Sequence, residues 1–162
     1  EVRDGLLWVR GEQVSGEYAG MDSVLDDAGW FPTGDLAHID DEGCLFSEGR
    51  ADDTIIRGGE NVAPAEIETV LAGHPAVADV AVIGVPDDEF GEQVKAVVQL
   101  VEGTEPSEAL AEELVTLSRE KLAGYKRPKT IDWSEALARS EAGKLLNKEL
   151  GAPYWEGTGR SI

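Results

Sequence analysis

Four short strings in this chain hold residue types that can do chemistry. Thr33-Gly34-Asp35 sets a carboxylate after a glycine turn, and a carboxylate can accept two hydrogen bonds from a ribose 2′,3′-diol. Gly58-Gly59-Glu60-Asn61 has two residues without a Cβ, so a ligand can come close to the backbone. Tyr125-Lys126-Arg127-Pro128-Lys129 gathers three bases beside an aromatic, which suits a small anion. Lys144 follows Gly143 in a loop-like stretch and offers an ammonium there. Each is ordinary alone. Turns are full of Thr-Gly-Asp triplets, a glycine pair is a common strand-to-helix turn, and a single lysine reads as surface.

The elements that must position these residues follow from pattern. Residues 1 to about 48 read as short strands and turns, with Leu6-Leu7-Trp8-Val9 one strand and glycines, Gly16 and Gly20 among them, as punctuation. Asp41-Glu42-Gly43 reads as a hairpin turn between Ala37–Ile39 and Leu45-Phe46. Asp53 to Arg57 predicts a short strand ending at Gly58. Pro64 then opens a helix with Ile67, Val70 and Leu71 on one face, and Gly73 and Pro75 stop it. Val77–Val85 and Val94–Val101 are continuous apolar runs, expected as strands of a helix-covered sheet, linked by residues 86–92. Ser107 or Thr104 can cap a second helix with Leu110, Ala111, Leu114, Leu117 and Leu122 inward. Thr130–Trp133 is a last strand, followed by a loop and a final helical turn to Leu150. Residues 151–162 read as a Gly-rich tail.

Composition narrows the function classes. A hydrophobic share of 41% over 162 residues supports a core. No apolar run is long enough to span a membrane, and no signal-peptide pattern opens the chain, so a cytoplasmic setting is the default. Cys44 is the single cysteine, which excludes an intrachain disulfide and a cysteine metal cluster. It reads as a small hydrophobe in a strand. A net charge of −19 argues against nucleic acid as a partner. Residues 119–148 run against that trend, with eight bases to four acids. The carboxylates lack metal-ligand spacing, so no metal site is expected. Neither His38 nor His74 is assigned to chemistry.

The order of the strings is more specific than any one of them. Gly29-Trp30-Phe31-Pro32-Thr33-Gly34-Asp35-Leu36 is followed by the run from Gly49-Arg50-Ala51-Asp52-Asp53 through Gly58-Gly59-Glu60-Asn61-Val62 to Glu66-Ile67-Glu68, and later by Gly143-Lys144. The set resembles the C-terminal part of the adenylate-forming acid–CoA ligases, the AMP-binding superfamily of acyl-CoA synthetases. The resemblance covers roughly residues 1–150. That family's upstream phosphate loop is not in this chain.

The resemblance implies an α+β fold. Residues 1–50 would be the β-rich end of a large ATP- and acid-binding domain. Residues 51–150 would be the mobile C-terminal domain, with a short central sheet and flanking helices. It also implies roles. Thr33, Asp35 and Arg50 would contact ATP or AMP, with Asp35 on the ribose. Asp52 would be the hinge. Gly58, Gly59 and Glu60 would line the path of the coenzyme A arm. Phe90 and Tyr125 would clamp its adenine, and Arg127 and Lys129 would meet its phosphates. Lys144 would be catalytic, offsetting charge at the ATP α-phosphate during adenylation. Where the family carries proline before the basic residue of this loop, the chain has Ala138.

The implied reaction joins a carboxylic acid, such as a fatty acid, to coenzyme A through an acyl-adenylate. ATP and Mg²⁺ would be bound mainly by an upstream half, and the domain would rotate between the two half-reactions. The acyl pocket also lies upstream in this family, so this chain alone is expected to be inactive. Two alternatives are an adenylation domain that loads a carrier protein and a non-catalytic binding fragment. The sequence leaves the acid and the oligomeric state open.

Overall fold

The computed structural model describes residues 1–15, 23–141 and 143–159. The glycines expected to punctuate the first segment at positions 16 and 20, and residue 142 of the late loop, lie outside that range. The chain divides into two compact units, Glu1–Asp52 and Asp53–Ile162. Among the described residues, no helix is long and apolar enough to cross a membrane.

The first unit is an antiparallel meander of β1 (Val2–Arg3), β2 (Leu6–Val9), β3 (Phe31–Ile39) and β4 (Leu45–Arg50). Asp4 and Gly5 both take positive φ, the conformation a two-residue hairpin needs. Among its described residues only Ala37 is buried. Aromatic faces and cations stand in for a core. The Arg3 guanidinium lies 4.6 Å from the Trp8 ring centroid and 5.1 Å from that of Trp30. It also donates to Asp26, which holds the Asp26 carboxyl below the usual range. Ile39, Leu45 and Phe46 remain exposed.

The second unit is built on a sheet of β5 (Ile55–Arg57), β6 (Glu60–Val62), β7 (Val77–Asp87), β8 (Gly91–Leu100) and β9 (Thr130–Trp133). β8 is central. It pairs antiparallel with β7 along its whole length, and on its other side with β5 and, in parallel, with β9. Alternation in β7 and β8 sends side chains to two layers. One face (Val80, Val82, Val94, Ala96, Val98) packs on α1 (Pro64–Ala72) and α2 (Glu108–Lys121) through Ile67, Leu71 and Leu114. The opposite face (Ala81, Ile83, Val85, Val97) takes Leu137 and Leu145 and two residues of α3 (Asn147–Trp155), Leu150 and Tyr154. The expected continuous apolar runs thus have the expected cause, burial on both sides.

Three expectations need correction. The β7–β8 link is residues 88–90 and not 86–92, because Asp87 accepts hydrogen bonds from the Glu89 and Phe90 amides and closes the turn early. The inward face of α2 takes Ser118 in place of the expected Leu117, while Leu110, Leu114 and Leu122 are buried as expected. The Ser118 hydroxyl can be buried because it donates to the Leu114 carbonyl. The tail expected from residue 151 is helical through Trp155, which is buried and donates its indole N–H to the Gly84 carbonyl at 3.0 Å.

That last bond belongs to a wider pattern. Among the described residues, no strand lies beside the outer edge of β7, and unpaired edge groups invite association. Glu68 of α1 accepts from the Val82 amide at 2.9 Å, and Trp155 donates to the Gly84 carbonyl two residues along. Burial, reinforced by Asp53 and Asp79, pushes the Glu68 carboxyl up despite the Val82 bond. A raised folded-state pKa means that Glu68 costs stability as pH rises past the ordinary glutamate range. Glu68→Gln is therefore expected to match the parent at acid pH and exceed it in thermal stability at neutral pH. Glu68→Ala strands the Val82 N–H and is expected to lose about 1–3 kcal/mol. Melting curves of both variants at two pH values check this.

Candidate functional site

In the first unit, the antiparallel register sets Asp35 of β3 opposite Arg50 of β4. The Arg50 guanidinium donates to the Thr33 carbonyl at 2.9 Å and to an Asp35 carboxylate oxygen at 3.3 Å. Its other terminal nitrogen lies 3.8 Å from Asp52. Gly34 makes this possible. It has φ +76°, and a Cβ there would sit 3.0 Å from the Arg50 guanidinium. The Thr33 hydroxyl bridges the Leu7 carbonyl and the Asp35 amide. Thr33, Asp35, Arg50 and Asp52 thus form one half-exposed acid–base patch, with carboxylate oxygens open to a diol. Asp35 follows Gly34 within β3 and not a glycine turn; Gly34 takes positive φ inside the strand, where the pairing with β2 is irregular between Pro32 and Leu36.

In the second unit, the cluster at the β5–β6 hairpin is tighter. Gly58 and Gly59 are its two turn residues, both with positive φ. The Gly58 amide donates to the Phe90 carbonyl at 2.8 Å, and the Phe90 ring lies 3.1 Å from where a Gly58 Cβ would be. Phe90 is therefore seated on the glycine turn and still 38% exposed, enough for one ring face to meet a ligand. Arg57, which sequence reasoning missed, organises the group. Its guanidinium stacks 4.7 Å from the Phe90 centroid and donates to the Tyr125 carbonyl at 3.4 Å. Its position directly before Gly58 was the available signal. Lys126 donates to Glu66 at 2.5 Å and Lys129 lies 3.6 Å from Asp87. The Phe90 amide, then the Glu89 amide and Lys129, hold the Asp87 carboxyl below its usual range.

Arg127 is oriented differently. Its guanidinium donates to the Leu122 and Arg119 carbonyls and so closes the C-terminal end of α2, the negative pole of the helix. Only its Nη1 has no such partner among the described residues.

Lys144 sits on a small hairpin in which Arg139 bridges Leu145. The Ser140 amide donates to the Lys144 carbonyl at 2.8 Å, and Gly143 turns the chain with φ +79°. The Ala138 carbonyl accepts from the Leu146 amide, so the residue at the usual proline position helps to close the hairpin. Lys144 is exposed, and its ammonium makes no bond among the described residues. The hairpin is tied by Arg139 to Asp79 near the start of β7. The glycine–aromatic cluster is tied to Asp87 at the strand's other end. The two anchors are eight positions apart along the strand, roughly 25 Å.

Among the described residues, the one grouping with metal-ligand reach is Asp40, Glu42 and Cys44 in the β3–β4 turn. It does not suit Mg²⁺. One Asp40 oxygen already accepts from the Glu42 and Cys44 amides, and a thiol is a soft ligand. Cys44 is exposed and precedes β4, which corrects its reading as a small hydrophobe in a strand. His38 stacks on Phe46, and His74 accepts from the Ala76 amide at 3.2 Å and faces Glu113 at 3.5 Å.

Residues 66–144 match the model of the AMP-binding enzyme C-terminal domain. The chain is 42% identical over 157 residues to the long-chain-fatty-acid–CoA ligase FadD13 of Mycobacterium tuberculosis, covering 95% of this chain and 30% of that protein. It is 40% identical over 134 residues to the fatty acid–[acyl-carrier-protein] ligase ScoC of Streptomyces coeruleorubidus, covering 83% and 25%. The solved anthranilate CoA ligase AuaEII in complex with anthranoyl-AMP superposes with a TM-score of 0.85 at 34% identity, over 92% of this chain and 30% of that one. The chain thus spans about 30% of the length of the first curated relatives it matches.

Proposed function

We propose, from the premise that this chain belongs to the adenylate-forming acyl-CoA synthetase family and carries that family's C-terminal domain, that it serves both half-reactions of an acid–CoA ligase from two separate surfaces. The supporting observation is the spacing along β7. The Lys144 hairpin is anchored at Asp79 and the Gly58–Phe90 cluster at Asp87, roughly 25 Å away along the strand. One reaction centre cannot be served by both at once, so the domain turns between steps. Asp52 ends the first unit and is the proposed hinge; it is exposed and polar, able to change conformation without stranding an apolar group.

Each surface has its own chemistry. In adenylation, a carboxylate attacks the ATP α-phosphate and pyrophosphate leaves. The Lys144 ammonium offsets the charge that builds on phosphorus. Asp35 receives the ribose diol, positioned by Arg50. In thioester formation, the coenzyme A arm passes Gly58, Gly59 and Glu60, where the absent Cβ atoms leave room. Its adenine stacks on Phe90 against Tyr125, and its phosphates meet Lys129 and the remaining Nη1 of Arg127. The thiol then displaces AMP. Mg²⁺ would accompany ATP and be held elsewhere in the full protein.

The first unit is read as the edge of the larger acid-binding domain, which fits the single buried residue among its described ones and its exposed Ile39, Leu45 and Phe46. The setting is cytoplasmic, and a fatty acid is the first substrate to try. The likeness to ScoC keeps a carrier-protein acceptor as the second reading.

The test uses the full-length protein. Pyrophosphate release is measured across a panel of acids, and thioester formation from preformed acyl-adenylate is measured with coenzyme A or a pantetheinylated carrier. Phe90→Ala is expected to raise the KM for coenzyme A about tenfold, the order of one lost base stack, and to leave pyrophosphate release unchanged. A KM unmoved by Phe90→Ala would remove the nucleotide from this cluster, and turnover with the carrier alone would favour the second reading. The 162-residue chain alone is expected to release no pyrophosphate.

A further inference from the structure

The tip of the Lys144 hairpin is solvent-exposed, yet one side chain fastens it to the sheet. Arg139 Nε donates to an Asp79 carboxylate oxygen at 3.2 Å, and Nη2 meets the same oxygen. Nη1 donates to the Gly143 carbonyl at 2.5 Å. A single planar guanidinium therefore runs from β7 to the peptide group that joins Gly143 to Lys144. We propose that Arg139, held by Asp79, is the positioning residue for Lys144, setting the direction in which the lysine leaves the hairpin. This rests on the adenylation role proposed for Lys144.

Three observations favour placement over folding as the purpose of this contact. The Arg139–Asp79 pair is well exposed, with side-chain exposures of 41% and 30%, and pairs so open to water add little to stability. The hairpin has other means of keeping its shape: the Ser140 and Lys144 backbone bonds, the Ala138–Leu146 bond, and Leu137 and Leu145 packed at its base. Those bonds close the turn on itself, and none of them reaches from its tip to β7. Gly143 also has the widest conformational choice of any residue at the tip, so an untied Gly143–Lys144 peptide can rotate. A lysine side chain amplifies such a rotation at its ammonium. A misplacement near 1 Å can cost on the order of 10² in rate.

The fork geometry of arginine matters here. A lysine at 139 could reach Asp79 or the Gly143 carbonyl, but one ammonium on a flexible stem is a poor bridge between the two. Asp79→Asn keeps an amide oxygen that can still accept from the guanidinium, so it is expected to have a milder effect than loss of the arginine.

The test is kinetic, in the full-length protein, with Lys144→Ala, Arg139→Ala, Arg139→Lys and the double variant Lys144→Ala/Arg139→Ala. Arg139→Ala is expected to lower kcat for adenylation on the order of 10²-fold. The KM for ATP, the melting temperature and thioester formation from preformed acyl-adenylate stay near the parent values. Arg139→Lys recovers less than a tenth of the lost rate. The double variant is no slower than Lys144→Ala, because Arg139 acts through that lysine. Full adenylation by Arg139→Ala, alongside a slow Lys144→Ala, would overturn the inference and leave the reading of Lys144 standing. A fall in both half-reactions together with the melting temperature would also overturn it, as the mark of a merely structural arginine. Unchanged adenylation by Lys144→Ala would remove the reading of Lys144, and this inference with it.

Discussion

Lys144→Ala in the full-length enzyme is expected to slow acyl-adenylate formation by about 10²–10³-fold, the usual cost of removing one charge-stabilising donor. Thioester formation from supplied acyl-adenylate is expected to continue at the parent rate. The split follows from geometry. The ammonium is exposed and unengaged among the described residues, on a hairpin anchored at Asp79, while the glycine–aromatic surface is anchored at Asp87. No packing is lost when this side chain is shortened, so the melting temperature should not move. Pyrophosphate release and thioester formation, followed separately, read the split. Equal losses in both steps would sink the two-surface arrangement. Lys144→Arg is not expected to restore the rate, because a wide planar guanidinium does not reproduce a compact ammonium at a phosphorus centre.

The largest expected effect on stability lies at Trp155. Its ring is buried against the sheet, and its indole N–H donates to the Gly84 carbonyl on the outer edge of β7. Trp155→Ala is expected to cost about 3–5 kcal/mol, the range for emptying a large aromatic site. Trp155→Phe keeps most of the apolar area but strands the Gly84 carbonyl, so a loss of about 1–3 kcal/mol is expected. Denaturant unfolding of the 162-residue chain gives both numbers. A near-neutral Trp155→Ala would mean that α3 does not hold this face of the sheet. Gly84 is also crowded on its inner side: a Cβ there would meet a Glu92 carboxylate oxygen at 2.3 Å and an Ile55 methyl at 3.2 Å, so only glycine fits. Burial also pushes the Glu92 carboxyl up, against its bond from the Ile56 amide.

Below α3, the polar side chains of the last segment settle one another. The Tyr154 hydroxyl donates to Asp132 at 2.5 Å, and Lys95 donates to the other Asp132 oxygen at 2.8 Å. Burial, with Asp132 beside it, pushes the Tyr154 hydroxyl up to about 12, so it remains a donor at any working pH. Burial also raises Asp132, but the Lys95 and Tyr154 bonds outweigh it and hold that carboxyl below the ordinary range. This network and the Trp155 bond explain why a stretch that reads as a mobile tail is a helix. None of its partners is near in sequence.

Local chemistry determined the elements whose signals are themselves local. Unbroken Val/Ile runs marked β7 and β8, Pro64 marked the start of α1, and Ser107 was one of two caps open to α2; Gly58-Gly59 marked the end of β5 but read as a turn into a helix, and the short β6 that follows it was missed. The ordered motifs determined the family, because their spacing reflects one backbone path. The tertiary structure alone decided how far the candidate residues could act together. It set Asp35 opposite Arg50 by strand register and put Arg57 between Phe90 and Tyr125. It turned most of the Arg127 guanidinium onto the end of α2, and it tied Gly143 to β7 through Arg139. These are contacts between residues up to 68 positions apart. A side chain's type states which bonds it can make, and only the folded backbone brings one of its possible partners within reach.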